Sequence, residues 1–150
     1  MVTRSVNDIV ETQIQTATKD AAVLVNGATL FTVTGGPILI KELAAVCITD
    51  NDATASTLQF SADGDDGSAV TISGASASLS SKTAGTIVAT VPGTLATALA
   101  VYNNGIGITG TVDIVVPAGI ITAVVGVGST TGTWKIVMRY QPLTAGVSVN

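Results

Sequence analysis

Apolar residues recur at every second position along most of this chain, and glycine, proline, asparagine and aspartate break the pattern at short intervals. The clearest run is Thr133–Tyr140. Trp134, Ile136, Met138 and Tyr140 alternate there with Thr133, Lys135 and Arg139. Successive side chains of a strand point to opposite faces, so the even set is predicted to face a core. Leu30–Val33 and Ile38–Ile48 flank the punctuation Thr34-Gly35-Gly36-Pro37. The glycines permit positive φ and the proline starts a new strand, so the chain turns sharply there. The second run is long for one flat strand, and Lys41-Glu42 interrupts it. A bend or bulge is predicted at that pair, with core strand on each side.

The same period continues downstream. Thr57–Phe60 and the Val70/Ile72 pair flank Asp63-Gly64-Asp65-Asp66-Gly67 and read as a hairpin. Gly74–Thr83 is small and polar, more loop or edge than core. Ile87, Ala89 and Val91 alternate up to a Pro92-Gly93 turn, and Leu95, Leu99 and Val101 continue on odd positions. Val112, Ile114 and Val116 form one further strand and Ile120–Val127 another. The sum is an all-β fold, an antiparallel β-sandwich of jelly-roll type over residues 27–150.

Residues 1–26 differ. They carry Arg4, Asp8, Glu11, Lys19 and Asp20, and their apolar positions Val10, Ile14, Ala17, Ala21 and Leu24 follow the spacing of a coiled-coil seam. Thr12, Thr16 and Thr18 oppose a helix. A short N-terminal arm, extended or helical, is therefore predicted ahead of the sandwich.

Composition adds a partner to this picture. Hydrophobic residues make up 47% of the chain, aromatics 3% and charged residues 11%. An average soluble domain carries about 25% charge, so much of this surface is expected to be covered by neighbours, as in a homotrimer. The net charge of −4 argues against nucleic acid or an anionic membrane as partner. The N-terminus shows no apolar segment of a signal peptide. Ile114–Val127 is too short, and too broken by Pro117, Gly119 and Gly126, to span a membrane.

Candidate chemistry is sparse. Histidine is absent and Cys47 is the only cysteine, which excludes Ser-His-Asp and Cys-His arrangements, zinc sites and an intrachain disulfide. Cys47 lies in an apolar run and reads as a buried structural thiol. No serine stands three residues before a lysine, the spacing of a lysine-activated nucleophile. Gly105-Ile106-Gly107-Ile108-Thr109-Gly110 matches a dinucleotide fingerprint in letters only, because a strand follows it and Asp113 comes too soon. Asp50, Asp52, Asp63, Asp65 and Asp66 form the densest acidic group. A hard cation such as calcium suits such oxygens. Asp and Gly are equally what a solvated hairpin turn requires, and no Glu closes an EF-hand loop. The reading is of a chain that is not an enzyme, with no catalytic, cofactor or metal residues assigned.

Two stretches, TVTGGPILI at residues 32–40 and TGTWKIVMRYQPL at 131–143, resemble small structural proteins of tailed bacteriophages that coat the capsid exterior, the decoration or cement proteins. In that group an apolar strand runs into Gly-Gly-Pro and an aliphatic strand. The chain closes there on a Thr-Gly turn, an aromatic strand and Tyr-x-Pro-Leu, here Tyr140-Gln141-Pro142-Leu143. The resemblance covers roughly residues 28–145. It implies a β-sandwich or jelly roll in trimers on the outside of the virion, with the major capsid protein as partner and no catalytic residue. Residues 1–26 lie outside it, and their charge and apolar stripe make them the expected attachment segment. A head-fibre or tail-fibre receptor-binding tip is the alternative, and a carbohydrate-binding or hydrolytic β-domain using the aspartates is a third reading.

Overall fold

The computed structural model describes residues 13–65, 67–103, 106 and 110–150. Among them the regular elements are strands: β1 Gln15–Val23, β2 Thr29–Thr34, β3 Ile38–Thr49, β4 Leu58–Gly64, β5 Val70–Thr71, β6 Ile87–Ala89, β7 Ala100–Tyr102, β8 Ile114–Val116, β9 Gly119–Val125, β10 Thr133–Pro142 and β11 Ser148–Val149. They form two antiparallel sheets. The first has the order β1-β10-β3-β6-β7, with β8 also paired to β3, and the second β11-β2-β9-β4-β5. The fold is an all-β sandwich with its core between the sheets.

The first sheet is built around β10 and β3. Trp134, Ile136, Met138 and Tyr140 are all buried and Arg139 is exposed, the facing predicted from their alternation. β3 runs alongside with Leu43, Ala45 and Cys47 inward. Arg139 pairs with Glu42 while Tyr140 pairs with Ile40, so Lys41 is the extra residue of a bulge. The bulge shifts the inward phase of β3 from Ile38 and Ile40 to Leu43, Ala45 and Cys47. It also divides the strand between partners, since residues 38–40 pair with β8 and residues 44–46 with β6.

The chain crosses between the sheets repeatedly, and two of the crossings are short corners. Gly35 and Gly36 have φ of +81° and +150° and take β2 of the second sheet into β3 of the first. A side chain on Gly35 would run into the Gly146 carbonyl, and one on Gly36 into Thr144. At the second corner, Pro117-Ala118 separates β8 in the first sheet from β9 in the second. The apolar run Ile114–Val127 is therefore two strands in different layers. No helix among the described residues is long and apolar enough to cross a membrane.

Three expectations need correction. Residues 15–23, assigned to an arm, form β1, paired along β10 from Gln15↔Tyr140 to Val23↔Thr133 with an irregularity between Lys19 and Ala22. The helical alternative fails for this segment. Its threonines suit a strand, β10 supplies its hydrogen-bond partners, and Ala17 and Leu24 pack on the core. Residues 1–12, including Val10, lie outside the described residues. In β6 Ala89 is fully buried, but Ile87 is only half-buried and Val88 joins the core cluster instead, with Thr86 and Thr90 also buried. The threonines tolerate burial because the Thr90 hydroxyl accepts the Leu43 N–H at 3.1 Å and the Thr86 hydroxyl donates to the Asn103 carbonyl at 3.3 Å. Finally, the small polar stretch after Ser73 is not all surface. Leu79 is fully buried, and Ser73 and Ser76 accept the Phe60 and Leu58 N–H groups, continuing the edge of β4 where β5 stops.

Candidate functional site

The aspartates do not converge. Asp50 and Asp52 follow β3, at the end of the sandwich where β4 begins, whereas Asp63 and Asp65 sit where β4 finishes. A strand rises about 3.3 Å per residue, so the length of β4 separates the two groups by roughly 20 Å. Asp50 and Asp52 are occupied locally, whereas the buried Asp63 Oδ1 finds no hydrogen-bond partner among the described residues. Asp50 accepts the Ala84 N–H at 2.7 Å. One oxygen of Asp52 accepts the Thr54 N–H at 2.8 Å, and the other accepts the Thr130 N–H and hydroxyl at 3.0 and 3.1 Å. These bonds, the Thr130 N–H foremost, stabilise the charged form and hold the Asp52 carboxyl well below the usual carboxylate range. Asp63 and Asp65 belong to the hairpin turn, with the Asp65 N–H donating to the Ala118 carbonyl at 3.2 Å. Asp66 lies outside the described residues. Among the described residues no three acidic, cysteine or histidine groups gather as metal ligands.

Cys47 is buried on the inward face of β3. Burial, with a smaller contribution from the Asp50 charge, pushes its thiol pKa up, which keeps it in the unreactive form. Of the formal glycine fingerprint, residues 105 and 107–109 lie outside the described residues, and the chain resumes at Gly110 against the Pro92 ring.

Among the described residues one concave feature is a flank where the sandwich is open. A groove runs between β5, the 91–97 loop and β8, in two connected parts of about 290 and 240 Å³. Ile72, Leu95, Ile114 and Val115 line both parts. Three large aliphatic residues stand exposed along it, Val70 at 54%, Leu95 at 53% and Val115 at 62%. Val70 and Leu95 each belong to an alternating apolar set in the sequence. Val70 does share the side of β4's Ala62, but it lies at the edge of the second sheet, where cover from the first is incomplete. Val115 was not singled out. Its signal is a valine at the polar phase of the Val112, Ile114, Val116 alternation. Beside the groove Lys41 forms an ion pair with Asp113, whose side chain remains 56% exposed. Asp113 also has a positive φ, at +51°.

Compared with known proteins, the chain matches no family model, no curated protein and no solved structure.

Proposed function

We propose that this chain is a structural, non-enzymatic protein that coats the exterior of a tailed-bacteriophage capsid as a homotrimer, with the major capsid protein and its own copies as partners. One observation carries the reading: a body with 11% charged residues leaves large aliphatic side chains exposed at several sites. Val25 and Val127 stand at one end of the sandwich, Leu143 at the other, and Val70, Leu95 and Val115 on the open flank. Of these, the cluster of Val70, Leu95 and Val115 on one flank supports a contact with neighbours. The two stretches that carry the resemblance lie side by side in the first sheet, where β3 pairs with β10. Pro142 pairs with Ile38, and the Leu143 N–H donates to the Pro37 carbonyl at 3.1 Å.

Electron microscopy of intact virions with the protein labelled tests this reading. Copies in the hundreds distributed over the shell are expected. A few copies confined to one vertex or to a tail tip would replace it with the fibre-tip alternative. Light scattering is expected to return three times the 14.9 kDa chain mass.

A further inference from the structure

The open flank pairs its apolar groove with a free strand edge. β3 carries two strands on one side, β6 beside residues 44–46 and β8 beside residues 38–40. β6 is followed by β7, which continues the sheet. Among the described residues β8 has a strand on its β3 side alone, and its other edge borders the groove. Opposite it β5, two residues long, ends the second sheet. Unpaired strand edges invite another strand, and natural folds blunt them with charge or proline. Here Asp113 and Pro117 flank β8, leaving only Ile114–Val116 open.

We propose that this flank takes an extended polypeptide segment that adds a strand beside β8, with aliphatic side chains alternating with at least one lysine or arginine. Three features select that occupant. The edge offers backbone hydrogen bonds to a strand, and the groove offers Ile72, Leu95 and Ile114 to alternate side chains. The charge is weighted towards acid: Asp113 lines the groove with its charge shared with Lys41, Asp63 and the exposed Asp65 stand in the adjoining turn, and no lysine or arginine is among the lining residues. A cationic side chain is therefore favoured over an acidic one. The scale is that of a peptide, because a stable contact with a whole second copy needs about 800 Å² per partner, more than a three-residue edge provides. Resting on the function proposed above, the segment would belong to the shell protein.

The full-length chain, labelled with ¹⁵N, is titrated with an acetylated and amidated hexapeptide KVTVKV and with its acidic counterpart EVTVEV. Shifts confined to the amides of residues 62–65, 67–72, 93–97 and 112–116 are expected with KVTVKV, at least tenfold weaker with EVTVEV. They should be lost in Val115→Asp and in Leu95→Asp, both exposed positions whose folding Trp134 fluorescence checks. Absence of shifts at about 1 mM KVTVKV, the weak end of specific affinity, would overturn the inference. So would shifts elsewhere, or shifts unchanged by both substitutions. A trimer mass that collapses to monomer in Val115→Asp would assign the groove to a second copy and overturn it as well. Co-sedimentation of the full-length chain with shells tests the capsid reading separately. Peptide binding without co-sedimentation keeps the groove and removes the shell, and the reverse result does the opposite.

Discussion

At the end of the sandwich where β3 finishes, the Asp52 carboxylate ties the 52–54 turn to the loop entering β10 through Thr54 and Thr130. Its pKa is depressed in the folded chain, whereas an unfolded aspartate titrates near 3.9. The tether therefore contributes fully above about pH 4 and is lost as pH falls through the lower folded value. Asp52→Asn should lower the urea midpoint at neutral pH. The gap to the wild type should narrow steadily below pH 4, and denaturation series at several pH values would measure it. A gap independent of pH would mean that the charge does not matter. Gly35 supplies a contrasting case, with no titration in it. Its φ of +81° and the Gly146 carbonyl against it both exclude a side chain. Gly35→Ala should cost more than about 1 kcal/mol at every pH, the usual loss when alanine is forced into positive φ.

At the scale of elements, the Lys41 bulge determines what β3 buries. Replacing Lys41 by alanine removes a partly exposed ion pair with Asp113, a loss of under about 1 kcal/mol. Deleting Lys41 is different. A one-residue slip would turn either Ile38 and Ile40 or Leu43, Ala45 and Cys47 outward. The deletion should therefore unfold the protein or lower its urea midpoint far more than Lys41→Ala does. The bulge was legible in the sequence because a charged pair broke a long apolar run, and β10 and the Gly35-Gly36-Pro37 corner were legible because alternation and punctuation are local signals. β1 was not. Its apolar spacing also fits a helix, and what decides for a strand is β10, 125 residues away at the Gln15–Tyr140 contact. The phase of β6 was hidden for a related reason, since Thr86 and Thr90 turn inward only because distant carbonyl and amide groups satisfy them. The groove escaped because Val115 sits among valines and isoleucines, and nothing local distinguishes an apolar residue at an edge from one in a core. Placing β1 in the sheet also changes how attachment is tested. A deletion of residues 1–26 would remove β1 together with Leu24, whose truncation to alanine alone should cost about 2–5 kcal/mol. A deletion ending at residue 12 keeps both, so shell occupancy should be compared with that variant.

Across the whole molecule, the pairings join distant parts of the sequence. β10 lies between β1, near the N-terminus, and β3, so both of its ladders close long loops, as does the pairing of β11 with β2. β9 likewise joins β2 and β4. The local pairings, β4 with β5 and β6 with β7, are two or three residues long and too short to stand alone. Loop-closure entropy must be overcome before distant contacts return any stability, so folding cannot start from a stable local piece. Trp134 is the only tryptophan, and it is buried in β10 opposite Ala22 on one side and Cys47 on the other. Its emission therefore reports the assembly of three strands drawn from both ends and the interior of the chain. Refolding from urea, followed at Trp134 in dilute protein, should take milliseconds to seconds, the range of sandwiches with distant pairings. Far-UV circular dichroism should develop at the same rate, because neither sheet has a local core on which to form first. A microsecond tryptophan phase carrying most of the amplitude would contradict this order. So would backbone signal that is complete before the indole is buried, since it would require a sheet stable without β10.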